Sequence, residues 1–208
     1  MNPAYFLVSA GRKNNRIMKK LILSGILAIG SVLAVKAQTV KFGVKGGLNL
    51  AKVTNTDDAK TRASFYAGGL VNVALNESWA IQPELLYSGQ GTKVKTNTIL
   101  GTLESTLKTD YINIPVMVQY SIVPAFYLEA GPQLGILAGA KEKIGSKSYD
   151  VKDQMKSIDF GIGVGFGYKF DMGLGVSGRY NFGLTNIEDS GNHNSKNSVA
   201  QIGLFYMF

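Results

Sequence analysis

The stretch Gln201-Ile202-Gly203-Leu204-Phe205-Tyr206-Met207-Phe208 decides how the chain is read. Ile202, Leu204, Tyr206 and Phe208 alternate with Gln201, Gly203, Phe205 and Met207, and a period of two describes a strand with two distinct faces. In a water-soluble sheet, an apolar strand ending on a bare aromatic invites edge-to-edge aggregation. In a membrane-spanning barrel the same strand closes the ring, and its aromatics sit at the lipid interface. A buried strand of a soluble sheet also reads this way, so the preceding segments must choose.

Seven more alternating segments precede it. Val40, Phe42, Val44, Leu48 and Leu50 oppose Lys41, Lys45 and Asn49. Phe65, Ala67, Val71, Val73 and Leu75 oppose Ser64, Tyr66 and Asn72, and Trp79, Ile81, Leu85 and Tyr87 oppose Gln82, Glu84 and Ser88. Ile112, Ile114, Val116, Val118 and Tyr120 oppose Tyr111, Asn113 and Gln119, while Phe126, Leu128, Ala130, Leu134 and Ile136 oppose Tyr127, Glu129 and Gln133. Even-numbered apolar residues from Ile158 to Phe170 enclose Asp159, four glycines and Lys169. Leu174, Val176, Tyr180, Phe182 and Leu184 oppose Ser177, Arg179, Asn181 and Thr185.

A soluble β-sandwich alternates too. The connections discriminate. They are expected at 51–62, 76–77, 90–108, 122–125, 139–156, 171–173 and 186–197, long and short in strict turn. Outer-membrane barrels pair short periplasmic turns with longer extracellular loops, and a sandwich has no reason to sort its loops. Phe42, Trp79, Tyr120, Phe126, Phe170 and Phe208 fall on the apolar face at the short-turn end, as an interfacial aromatic belt requires. The expected fold is all-β: an eight-stranded antiparallel up-and-down transmembrane barrel over residues 38–208, in a Gram-negative outer membrane with both termini periplasmic. Pro83, Pro115 and Pro132 lie inside the strands, where a missing donor predicts bulges or local irregularity.

The formal charge of +8 suggests nucleic acid until it is located. Arg12, Lys13, Arg16, Lys19, Lys20 and Lys36 precede position 38, where there is no acidic residue. The remainder is nearly balanced, which argues against nucleic acid. Met18-Lys19-Lys20, the apolar run Leu21–Val35 and Ala37 make a secretory signal over 18–37, within an upstream segment 1–37. The alternative, a membrane anchor, needs about 20 apolar residues. Met18 is the expected start, leaving 1–17 without a role.

Two resemblances follow from quoted residues. Gln201, Gly203, Tyr206 and Phe208 resemble the C-terminal signal by which bacterial barrels reach the barrel-assembly machinery. Gln38–Asn49, Tyr111-Ile112-Asn113-Ile114-Pro115-Val116 and Phe126-Tyr127-Leu128-Glu129-Ala130-Gly131-Pro132-Gln133 resemble strands one, four and five of the PorT-like outer-membrane β-barrel proteins. That resemblance covers 38–208 and implies fold and location. For function it implies, at most, an accessory part in protein secretion.

Eight strands leave a lumen that side chains can fill. Lys45, Glu84, Glu129 and Arg179 are expected to share one level inside it as an ion-pair cluster, since confined charges need partners; a proton or ion path is the other reading. Lys41, Asp159 and Lys169 also face inward. His193, near Ser190 and Ser195, raises a Ser–His lipid hydrolase, but Asn192-His193-Asn194 reads as a polar loop tip with no third group to orient a base. A single His and no Cys make a transition-metal site poor. The glycines at 161–167 match a dinucleotide fingerprint only superficially, because no helix follows; they are expected to leave room in the lumen or permit close packing. Lys141, Lys143, Lys147, Lys152 and Lys156 in the third long loop suit lipopolysaccharide or a surface partner, or simply a solvated loop. The expected protein is a non-enzymatic barrel without cofactor or metal. Its partners are membrane lipid, lipopolysaccharide and the assembly machinery, with surface binding or shielding as its role and secretion as the alternative.

Overall fold

The computed structural model describes residues 39–54, 59–98, 101–187 and 195–208, with backbone alone for 95–98 and 101–104. The signal segment, the upstream residues, Ser190 and His193 lie outside the described residues. The described residues form nine strands: β1 (Thr39–Thr54), β2 (Ala59–Ala74), β3 (Trp79–Thr98), β4 (Gly101–Val123), β5 (Phe126–Ile144), β6 (Lys147–Asp150), β7 (Ile158–Lys169), β8 (Leu174–Gly183) and β9 (Lys196–Met207). Eight of them pair antiparallel around a ring, β1-β2-β3-β4-β5-β7-β8-β9, which β9 closes against β1 from Gly43↔Met207 to Thr54↔Lys196. The Phe208 amide adds a bond to the Phe42 carbonyl at 2.8 Å. Only β6 lies outside the ring, paired to the end of β5.

The alternation sorts side chains as a barrel demands. Phe42, Leu48, Leu85, Phe166, Ile202 and Leu204 are exposed on the outer wall, whereas Lys45, Glu84, Gln119, Glu129 and Arg179 are buried within. The short turns are built tightly. Asn76 accepts bonds from the amides of Ser78 and Trp79 at 3.0 and 2.8 Å, an Asx turn between β2 and β3. Gly173 takes φ +84° in the β7–β8 turn, which a side chain would strain.

One expectation changes and another is met in part. Residues 90–108 are mostly ladder and not loop: β3 and β4 stay in register from Gln90↔Thr109 to Thr98↔Gly101. β5 likewise runs on to pair with β6. These extensions are rich in Thr and Lys, so the hydrophobic period that reveals the barrel strands is silent there. The prolines shift no register, but the β2–β3, β3–β4 and β4–β5 ladders each skip two pairs beside Pro83, Pro115 and Pro132. Register is unbroken past Pro83, Pro115 and Pro132, and the shifts occur at Thr61/Tyr66, Asp110/Tyr111 and Ser121/Val123. The three prolines neighbour one another across β3, β4 and β5, with Pro83 opposite Val116 and Pro115 opposite Gln133. Each removes one donor, and the flanking ladder holds the strands aligned.

Candidate functional site: a filled lumen and a basic extension

The lumen is layered. Leu70, Tyr127, Phe205 and Met207 form an apolar floor at the short-turn end. Val53, Tyr111, Leu137, Ala140, Met155 and Ile187 form an apolar ceiling at the other. Met155 and Ile187 reach it from the β6–β7 and β8–β9 connections.

Between them lies a polar layer centred on Arg179 of β8. Its Nη1 and Nη2 donate to the two oxygens of Glu84 at 2.8 and 2.7 Å, and its Nε donates to Glu129 Oε1 at 2.7 Å. Lys45 Nζ lies 3.5 Å from Glu84 Oε1. The structure therefore brings together Lys45, Glu84, Glu129 and Arg179, two positive charges against two negative. The planar guanidinium meets Glu84 with two parallel bonds, the geometry that makes such pairs strong.

Neutral amides complete a closed circuit. Gln82 donates to Glu84 at 2.8 Å, Asn72 donates to Gln82 and Gln119 at 3.0 and 2.9 Å, and Gln119 donates to Glu129 at 3.1 Å. Arg179-Glu84-Gln82-Asn72-Gln119-Glu129 is thus one hydrogen-bonded ring spanning β8, β3, β2, β4 and β5. A second chain runs nearby: Asn181 donates to Gln201, Gln201 to Asn49, and Asn49 to Ser88, each at 2.9 Å. Asp159 accepts from Asn197 at 2.7 Å and Thr185 at 2.6 Å.

The glycines of β7 make room for this layer. A methyl group on Gly163 would lie 3.3 Å from Arg179 Cδ, and one on Gly165 would lie 3.1 Å from Glu129 Oε1. On Gly167 it would overlap the Tyr127 ring. The amides Asn72, Gln82 and Gln119 were not singled out in the sequence, although each sits on the inward parity that defines the lumen.

The other candidates stay apart. Ser195 is buried, and its carbonyl accepts the Ile187 amide at 2.9 Å. Among the described residues, no group of three or more His, Cys, Asp or Glu could hold a metal ion. Gln201 faces the lumen, while Tyr206 and Phe208 face outward on β9.

Beyond the barrel wall, β2 to β6 continue as a sheet. Cα partners share a face, and there Lys60 is opposite Lys93 and Lys108 is opposite Lys141. Lys143 follows Lys141 two residues on. The register shifts at Thr61/Tyr66 and Asp110/Tyr111 reverse parity on β2 and β5, so these side chains continue the lipid-facing side of the wall, the side of Tyr87 and Ile112. Asp110, which accepts from the Tyr87 hydroxyl at 2.7 Å, lies just below them. Lys147 falls on β6, Lys152 in the 3-10 turn Lys152–Gln154 and Lys156 after it, so the five loop lysines do not form one cluster.

This architecture has a counterpart among solved structures. Neisserial surface protein A superposes with a TM-score of 0.57 at 13% identity, covering 82% of this chain and 99% of that one. Ail, the attachment invasion locus protein of Yersinia pestis, gives 0.49 at 15% identity over 81% of this chain and 99% of that one. OprG of Pseudomonas aeruginosa gives 0.44 at 17% over 82% and 97%. No curated protein sequence matches. Residues 36–189 match the model of the family described as outer membrane protein beta-barrel domain, and the chain belongs to that family.

Proposed function

We propose that this protein is a non-enzymatic outer-membrane barrel whose filled body anchors a basic extramembrane sheet, and that the sheet binds phosphate groups of lipopolysaccharide at the cell surface. The register carries the reading: Lys108 lies opposite Lys141. Like charges directly opposite each other on a sheet destabilise it. An anionic layer beside the outer wall relieves that repulsion, and lysine serves phosphate as a compact point charge. The short turns and both chain ends belong in the periplasm on this reading, which puts the extension outside.

The test is binding of lipopolysaccharide to the refolded full chain in uncharged detergent at several salt concentrations. Lys108→Glu with Lys141→Glu is expected to weaken binding at least tenfold and flatten its salt dependence. Equal binding by the variant, or equal binding of dephosphorylated lipopolysaccharide, overturns the reading.

The PorT-like resemblance supports a second reading, an accessory of a protein-secretion apparatus. β6 favours it, because among the described residues its outer edge pairs with no strand and a partner's strand could add there. A stoichiometric complex with secretion proteins, captured from solubilised envelopes, would favour this reading over the first.

A further inference from the structure

The short-turn mouth holds positive charge that the lumen network does not use. Beside the apolar floor, Lys41, Lys169, Asn76, Ser78 and Ser121 line a cavity of about 320 Å³ that reaches Asn72 of the polar ring. That is room for about ten water-sized groups. Glu77, exposed on the β2–β3 turn, is the one carboxylate in the lining. Neither lysine is ion-paired among the described residues. The lumen carboxylates are committed elsewhere: both oxygens of Glu84 to Arg179, and those of Glu129 to Arg179 and Gln119.

The cavity is shaped for a ligand that accepts hydrogen bonds. Lys169 Nζ stands 4.8 Å from the centroid of the Tyr127 ring, a cation–π contact that holds it against the floor. The carboxamide oxygen of Asn76 is occupied by the turn amides, so its NH₂ remains to donate. Ser78 and Ser121 add hydroxyls. Two ammonium groups in one cavity repel each other, and an oxyanion between them reverses the sign of that interaction.

We infer that this mouth binds a phosphate-bearing group, with Lys41 and Lys169 as its cationic ligands. Two sources share that chemistry. Trp79, at the cavity rim, packs on Tyr120 at 4.9 Å between centroids. The pair belongs to the aromatic belt, which lies at headgroup depth. A phospholipid headgroup of the adjacent leaflet can therefore reach the cavity, and so can free phosphate from the aqueous side.

Trp79 is the only tryptophan in the chain, which makes its fluorescence a reporter of this cavity. The experiment titrates refolded full-length protein in uncharged detergent with inorganic phosphate. A second arm compares nanodiscs of phosphatidylcholine with nanodiscs containing phosphatidylglycerol. A saturable change in Trp79 emission is expected, in the first arm for free phosphate or in the second for a headgroup. It should weaken at least tenfold in Lys41→Gln with Lys169→Gln, persist in Lys41→Arg with Lys169→Arg, and be untouched by Lys108→Glu with Lys141→Glu. The last variant separates this site from the lipopolysaccharide-binding sheet.

Heat-dependent gel mobility checks that each variant folds. Should the glutamine pair fail to fold, the unaltered protein decides: a response that chloride at equal ionic strength does not reproduce supports the site. An equal response from the folded glutamine pair, or no saturable response in either arm, overturns it.

Discussion

Replacing Arg179 by leucine would leave Glu84 and Glu129 in the lumen with Lys45, Gln82 and Gln119 as their only partners. An uncompensated buried charge costs about 3–5 kcal/mol. The Arg179→Leu barrel should therefore unfold at markedly lower denaturant concentration in detergent, while lipid-facing Leu174→Ile stays within about 1 kcal/mol of the parent. Equal midpoints would remove Arg179 from the centre of the account. Gly167 offers a second test at the same scale. Gly167→Ala overpacks against Tyr127 and should cost about 1–3 kcal/mol. Adding Tyr127→Leu should recover part of that loss, and strict additivity in the double-mutant cycle would contradict the contact. Parity alone placed Lys45, Glu84, Glu129 and Arg179 inside the wall. The amide ring stayed hidden because Asn and Gln are at home on any polar face, and nothing in one strand's sequence says which residues meet across a lumen.

At the scale of elements, the barrel strands were legible because their outer face must be apolar and their inner face need not be. The β3–β4 and β5–β6 extensions carry no such contrast, so they read as loops. The aligned prolines show the complementary lesson: a missing donor predicts a lost bond, but whether the register slips depends on neighbouring strands that one segment does not reveal. β9 carries the prediction at this scale. If Gln201, Gly203, Tyr206 and Phe208 act as the assembly signal, Phe208→Ser should sharply reduce the amount of barrel in cell envelopes. Refolding of the purified variant should be little changed, because the Phe208 amide still reaches the Phe42 carbonyl. Equal loss in both assays would make Phe208 a stability residue instead.

The described residues from 39 to 208 form a closed ring with a filled interior. Floor, polar layer and ceiling are each drawn from strands far apart in sequence, so the layering could not be read before the ring closed. Among the described residues, the network and its two apolar covers leave no open diffusion path, and this filling is the functional divide. It separates a protein that acts through its extramembrane sheet and its mouth from one that conducts. The most direct measurement is the conductance of purified, refolded protein in a planar lipid bilayer. The account predicts no steady current above that of the bare bilayer. A stable, reproducible open channel in the unaltered protein would contradict it.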